Sequence, residues 1–250
     1  MKTFAAMAWV EIKLFAREPL TVLFVLVLPV VILYVLNGAF SSQRADPTVW
    51  EGLRAIDFYT PSYVALVAAT AGVLSLSVHL AGYREQGVLR RFRASAIAPA
   101  TLVAAHMAVT AAIATAGVIL LTAASILGYD APFPRNPLGF AAAYTLVTAA
   151  FAALGALLGI LMPTARAAQG LGVLLFFTFM MLGGAGPPRE ILPTTMGRLG
   201  DGIPLTYAAR LLRGPWLDRG WDLGAAAVMA GLLVVSVAAI AWRLHAEDTR

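Results

Sequence analysis

The chain contains no cysteine, and of its 18 basic residues only Lys2 and Lys13 are lysines. Without thiols it can build no disulfide, thiolate zinc site, iron–sulfur cluster or cysteine nucleophile. A phosphate-binding loop of the G-x-x-x-x-G-K-[ST] type sets lysine directly after glycine, whereas Lys2 follows Met1 and Lys13 follows Ile12. ATP binding through such a loop is excluded for this chain. Charge of either sign is scarce: 12% of the 250 residues are charged and 60% are hydrophobic, too little polar cover for a soluble globule of this size. The mean hydropathy of +0.81 makes lipid much of the solvent.

What is present are apolar windows near the roughly 20 residues needed to cross a bilayer. Six of them, 20–40, 58–81, 99–127, 139–161, 168–186 and 223–242, hold no Asp, Glu, Lys or Arg. The expected fold is an all-α polytopic membrane protein, a single transmembrane domain over 1–250 with six transmembrane helices. Their emptiness restricts mechanism. Ion-driven transporters and voltage sensors hold charged residues at membrane depth, where they bind the coupling ion or move in the field. His79 and His106 are the only histidines in the windows, near the ends that flank the 82–97 loop. Their plain reading is interhelical or interfacial hydrogen bonding, and the sharper one is a proton relay. No H-E-x-x-H or G-x-S-x-G occurs and the acids lie outside the windows, so neither a metal site nor an intramembrane enzyme is expected.

With six spans both termini share one side. That side also holds 82–97 and 162–167 and carries ten basic residues against five acidic ones, while the other carries eight against eight. The short-loop bias puts both termini in the cytoplasm, and the excess of arginine over lysine with abundant alanine points to a bacterial cell membrane, so the +5 net charge is a topology signal and needs no nucleic-acid partner. Residues 1–19 are too polar to span. Phe4, Met7, Leu14 and Phe15 fall to one side of a helix and Lys2, Lys13 and Arg17 to another, which predicts a helix on the membrane surface. Glu11 and Glu18 interrupt its apolar face and would face protein. A signal peptide is not expected, because the first apolar run ends at Glu11 with no cleavage site after it. Pro19 suits the first turn of span one, and Pro29 should bend it. Gly155 and Gly159 permit close helix approach, within the chain or at a dimer seam. Segment 187–222 has five prolines, too broken to cross; its stretches Ile191–Leu199 and Thr206–Leu212 predict one or two re-entrant helices dipping into or resting on the outer leaflet before the last span.

The cytoplasmic stretch Tyr83-Arg84-Glu85-Gln86-Gly87-Val88-Leu89-Arg90-Arg91-Phe92-Arg93-Ala94-Ser95 is more than a basic loop. Val88, Leu89 and Phe92 recur opposite Arg90, Arg91 and Arg93, as on a short amphipathic helix. Anionic lipid head groups or a cytoplasmic protein would both suit it. Arg84 to Ser95 is similar, position by position, to the loop R-E-x-G-x-L-R-R-x-R-x-[ST] between spans two and three of ABC-2 type transporter permeases, in particular drug-exporter permeases of the daunorubicin-resistance type. Gly184 to Pro193, Ile203 to Tyr207 and Leu212 to Trp216 resemble that family's re-entrant region. Arg17-Glu18-Pro19, leading into a span with Pro29 at its centre, resembles its entry.

The resemblance implies one half of a pathway. Two permease copies, or two related permeases, pair in the membrane, and two cytoplasmic ATPase subunits bind ATP and magnesium and dock on the loops; the permease itself holds no cofactor. Residues 83–95 would be the coupling helix, with Val88, Leu89 and Phe92 as anchors and Arg84, Glu85, Gly87, Arg90 and Arg91 around them. Glu11 and Glu18 would touch the ATPase. Spans one, two and five would face the partner permease, offering Tyr34, Asn37, Tyr63, Thr70, Ser75, Phe176, Phe177, Phe179, Met180 and Met181 to a hydrophobic or amphiphilic drug or lipid moving outward, or to lipid and core. The implied function is drug efflux. Two alternatives stay open: a stand-alone secondary transporter or channel, and an ABC-2 permease for polysaccharide or a lipid-linked glycan.

Overall fold

The computed structural model describes residues 22–40, 54–87, 99–187 and 192–248. All regular structure among them is helical. In chain order, α1 is π-wound over Leu23–Val27 and α-helical over Leu28–Phe40; α2 spans Ala55–Glu85, α3 Pro99–Tyr129, α4 Pro137–Leu161 and α5 Ala165–Leu182. The short α6 (Thr194–Gly200) and α7 (Pro204–Trp216) precede α8 (Leu223–Asp248). Helices α2 to α5 and α8 are each long and apolar enough to cross a membrane, and α1 adds a shorter apolar helix, Leu23–Gly38. The chain is an all-α, multi-pass membrane protein. The expected surface helix over 1–19, with Glu11 and Glu18, and residues 88–98 lie outside the described residues.

Helix α2 is the hub. Its most apolar stretch is 89% buried by protein, where the corresponding stretches of α5 and α8 are 22% buried. Helices α1, α3, α4, α5 and α7 all pack on it. Its first turn extends beyond the apolar window because Arg54 and Asp57 neutralise each other there. Two 2.9 Å bonds join the guanidinium to the carboxylate, and a third, of 3.1 Å, reaches the Asp130 carbonyl at the end of α3. The Asp57 carboxylate holds the Arg54 guanidinium above its ordinary pKa.

Across the middle of α2 the winding changes to π over Thr70–Leu76. The hydroxyls at its edges are consumed locally: Thr70 donates to the Leu66 carbonyl at 2.7 Å and Ser77 to the Val73 carbonyl at 2.5 Å. This is where α4 comes closest. A methyl group on Gly72 would strike the Phe151 carbonyl, one on Gly155 would strike the Gly72 carbonyl, and one on Gly159 would sit 2.8 Å from the Ser77 carbonyl. The two backbones touch with no side chain between them. Gly155 and Gly159 therefore serve packing within the chain, a geometry that only glycine permits. In α1 the π turn falls directly before Pro29, whose missing N–H removes an α-helical bond at that point.

Helix α7 closes one end of the bundle. Leu205, Ala208, Leu211, Leu212 and Trp216 are buried against α2, α4 and α8, so its apolar face meets protein. Arg213 lies 3.5 Å from the centre of the Phe58 ring and donates to Ser62 at 3.2 Å. The carbonyls of Pro215 and Trp216 accept from the N–H groups of Asn136 and Arg135, which ties α7 to the start of α4. Asp222 links it to α8 by accepting from the Ala225 N–H at 2.9 Å and pairing with Arg210 at 2.7 Å. These contacts, the backbone bond first, hold its carboxyl below the ordinary value.

The contact between Gly72 and Gly155 has a measurable consequence. Gly155→Val should cost about 3 kcal/mol or more, seen as a lower midpoint of thermal unfolding in detergent, because overpacking meets backbone that cannot step aside. Gly231→Ala in α8, where nothing lies within 4 Å of an added methyl, should leave the midpoint unchanged or slightly raised. Equal effects of the two substitutions would refute the close approach.

Candidate functional site

At the end opposite α7, α2 stops at Glu85 and the chain turns through Gln86 and Gly87. Gly87 has φ +69° and its N–H bonds the Arg84 carbonyl at 3.1 Å, so the glycine of the 83–95 stretch is the left-handed cap of α2. A side chain there would be strained, while nothing crowds the position.

The two residues ahead of it clasp the turn between α4 and α5. The Arg84 guanidinium donates to the carbonyl of Ile160 and, at 3.5 Å, to that of Met162, both at the C-terminal end of α4. The Glu85 carboxylate accepts from the Ala165 N–H at 2.9 Å, at the N-terminal end of α5. Thr164 completes that end by accepting from the Ala167 N–H at 3.1 Å. A cation thus meets the negative end of one helix and an anion the positive end of the next. Although the two are sequence neighbours of opposite charge, each has a separate backbone partner 76 to 80 residues away. Sequence reasoning found Arg84 and Glu85 and missed their partners, since a carbonyl or an N–H leaves no mark on residue type. Val88, Leu89, Arg90, Arg91 and Phe92 belong to the segment outside the described residues.

Just inside this end the two histidines of the described span interiors lie close together. The His79 ring nitrogen Nδ1 is 2.8 Å from the Ser75 carbonyl, and because a carbonyl only accepts, Nδ1 carries the hydrogen. His106 is buried with its ring 5.1 Å from that of Tyr83. With Ser75 and Thr110 the two histidines line a cavity of about 20 Å³, room for a water molecule.

The residues named for a substrate path divide by exposure. Asn37, Tyr63, Thr70, Phe176 and Phe179 are buried within one copy of the chain. Tyr63 stacks on Tyr59 at 5.5 Å and Phe179 tilts against Phe151 at 6.1 Å, while Asn37 donates to the Leu33 carbonyl at 2.9 Å. Ser75 is buried beside His79. Tyr34, Phe177 and Met181 are exposed and Met180 is half-buried. Leu174, Phe177 and Met181 form a stripe along α5; Val27, Val31 and Tyr34 form one along α1; and Phe24 meets Phe176 edge-on at 5.8 Å where the helices join.

The clasp is testable without any transport assay. Arg84→Ala and Glu85→Ala should each lower stability by about 1 kcal/mol and increase maleimide labelling of a Pro163→Cys reporter, which is unique in a chain free of cysteine. Exchanging the two charges should fail to restore either readout, because Glu would then face the α4 carbonyls. Full rescue by the exchange would mean that the residues pair with each other.

The described architecture is therefore an ion-poor helix bundle around a buried second span, capped at one end by a proline-bounded helix and clasped at the other. No curated protein matches the sequence. The family model described as ABC-2 type transporter matches residues 2–216, which takes in α1 to α7 and the clasp. The chain belongs to the ABC-2 type transporter family and is a membrane-spanning permease component of an ABC transporter.

Proposed function

We propose that this permease moves a hydrophobic or amphiphilic compound, a drug or a lipid, out of the cytoplasm of a bacterial cell, using ATP hydrolysed on two copies of a separate cytoplasmic ATPase. The observation that carries the reading is the clasp. The expected coupling segment leaves α2 at Gly87, directly beyond the two side chains that grip the α4–α5 turn. A displacement of residues 88–98 by a docked ATPase would act at once on the buried hub and on the helix pair beside it. Chemistry favours imported energy: the chain has no lysine suited to a phosphate-binding loop, and its spans carry no carboxylate or cation deep enough to bind a coupling ion.

The family works in general with an ABC ATPase partner. Which surfaces meet it is part of this proposal: Val88, Leu89 and Phe92 as apolar anchors, Arg90 and Arg91 around them, and the segment with Glu11 and Glu18 beside them. The exposed stripes on α1 and α5 are the proposed seam with a second permease, because they are apolar and carry aromatic and methionine side chains that repack around varied shapes. Substrate would pass along Tyr34, Phe177, Met180 and Met181 at that seam, while Phe176 and Phe179 would back the wall. The excess of basic residues on the Glu85 side supports cytoplasmic termini.

Leu89→Asp or Phe92→Asp, expressed with the cognate ATPase, should reduce substrate-stimulated ATP hydrolysis at least tenfold while membrane insertion and detergent extraction stay normal. Unchanged hydrolysis in both variants would overturn the docking assignment. Substrate movement by the purified permease alone, down an ion gradient and without nucleotide, would favour the stand-alone transporter.

A further inference from the structure

Helices α3 and α4 part as they approach the end closed by α7. Between them runs an apolar groove of about 430 Å³, lined by Ile119 and Ala123 of α3, Phe133 of the linker, Phe140 and Tyr144 of α4, and Trp216 of α7. That volume falls within the range of small-ligand sites. Its walls are held in place. Trp216 is 1% exposed and meets the Phe140 ring edge-on at 5.1 Å, and its carbonyl is bound by the Arg135 N–H at 3.1 Å. Pro134 and Pro137, also on the lining, limit the linker.

The surroundings identify the occupant. Both walls are membrane-spanning helices, and residues beside the groove face outward, with Ile119 65% and Leu127 86% exposed, so hydrocarbon chains fill its side opening. A recess this apolar would lose its dispersion contacts if left empty. At the end of the span lies Arg135, exposed, between the two lining prolines and ahead of the first turn of α4, and it has no ion-pair partner among the described residues. A fixed apolar slot and an exposed cation in the linker beside it match one acyl chain and the phosphate of a lipid in a single molecule.

We infer that the groove between α3 and α4 is a binding site for an anionic phospholipid, one acyl chain lying against Phe140 and Trp216 and the phosphate at Arg135. The site does not depend on the transport reading. Lipid held there would act as a wedge that fixes α7 against α4.

The test uses the full chain in which Trp9, Trp50, Trp221 and Trp242 are replaced by phenylalanine, leaving Trp216 as the only indole. It is reconstituted into bilayers with a small mole fraction of lipid brominated on the acyl chain, either phosphatidylglycerol or phosphatidylcholine. Phosphatidylglycerol should quench Trp216 at about a fivefold lower mole fraction than phosphatidylcholine, the increment expected of one cation at the surface. Arg135→Glu should remove that preference. Ala141→Phe, an exposed alanine on the lining, should fill the slot and cut quenching by both lipids. Equal quenching by the two lipids in the otherwise unchanged protein would mean ordinary exchange of surrounding lipid and would overturn the assignment, as would full quenching in Ala141→Phe.

Discussion

Nearly everything in the fold depends on α2 being surrounded by protein over most of its length. A span in contact with lipid can be covered by whatever chain drifts past, but one with five helical neighbours must offer each a surface that fits. Alanine, glycine, serine and threonine make up much of its sides, and they let neighbours approach until backbone meets backbone at Gly72 and Gly155. The π-wound stretch belongs to the same solution, since a changed turn lets that carbonyl lie against α4 without a side chain on either helix. In hydrocarbon, where burial of apolar surface gives no net drive to association, such close contact is the principal source of specificity.

The two ends of the hub are finished by different chemistry. Where α2 begins, closure is by an aromatic and apolar lid, α7, pinned by an ion pair and shared backbone bonds at its rim: Arg210 with Asp222, and Asn136 and Arg135 to the last carbonyls of α7. Where α2 ends, closure is electrostatic, with two side chains matched to two helix termini. The first kind resists opening because it must expose Trp216 and Leu211. The second can be released by moving Arg84 and Glu85 alone, which suits the end where the proposed coupling segment leaves.

Which parts were legible in the amino-acid sequence follows from what lipid and protein have in common. The apolar windows locate the helices, because both environments demand the same composition, and the glycine pair on α4 signals a close approach. Neither can say which face of a helix meets lipid. Tyr63, Thr70, Phe176 and Phe179 look like candidates for a pathway in the sequence and are buried within one chain in the structure, whereas Phe177 and Met181, one and two positions from them, are exposed. For the same reason the apolar face of α7 could be assigned to the outer leaflet, although in the fold it meets α2, α4 and α8. Arg84 and Glu85 stand out as charges, yet the groups they bind are main-chain atoms of Ile160, Met162 and Ala165, to which the residue code is blind.

The shortage of charge in the spans bears on how work could pass through the molecule. A transporter that binds a coupling ion at mid-membrane can use local electrostatics to change shape there, and this bundle has no such group to change. Energy delivered at one end must travel as displacement of packed elements, so the element that carries it must be stiff and held on every side. Helix α2 meets both conditions: it runs without interruption from the clasp to the lid, and any shift of its Glu85 end is transmitted to α4 through backbone contact at Gly155. The π-wound stretch at that contact is the departure from regular hydrogen bonding that lies nearer the Glu85 end, the other being at Pro61, which has no N–H to give. A helix driven from one end would be expected to yield there first, which puts the joint of the proposed movement at the level where α2 and α4 touch.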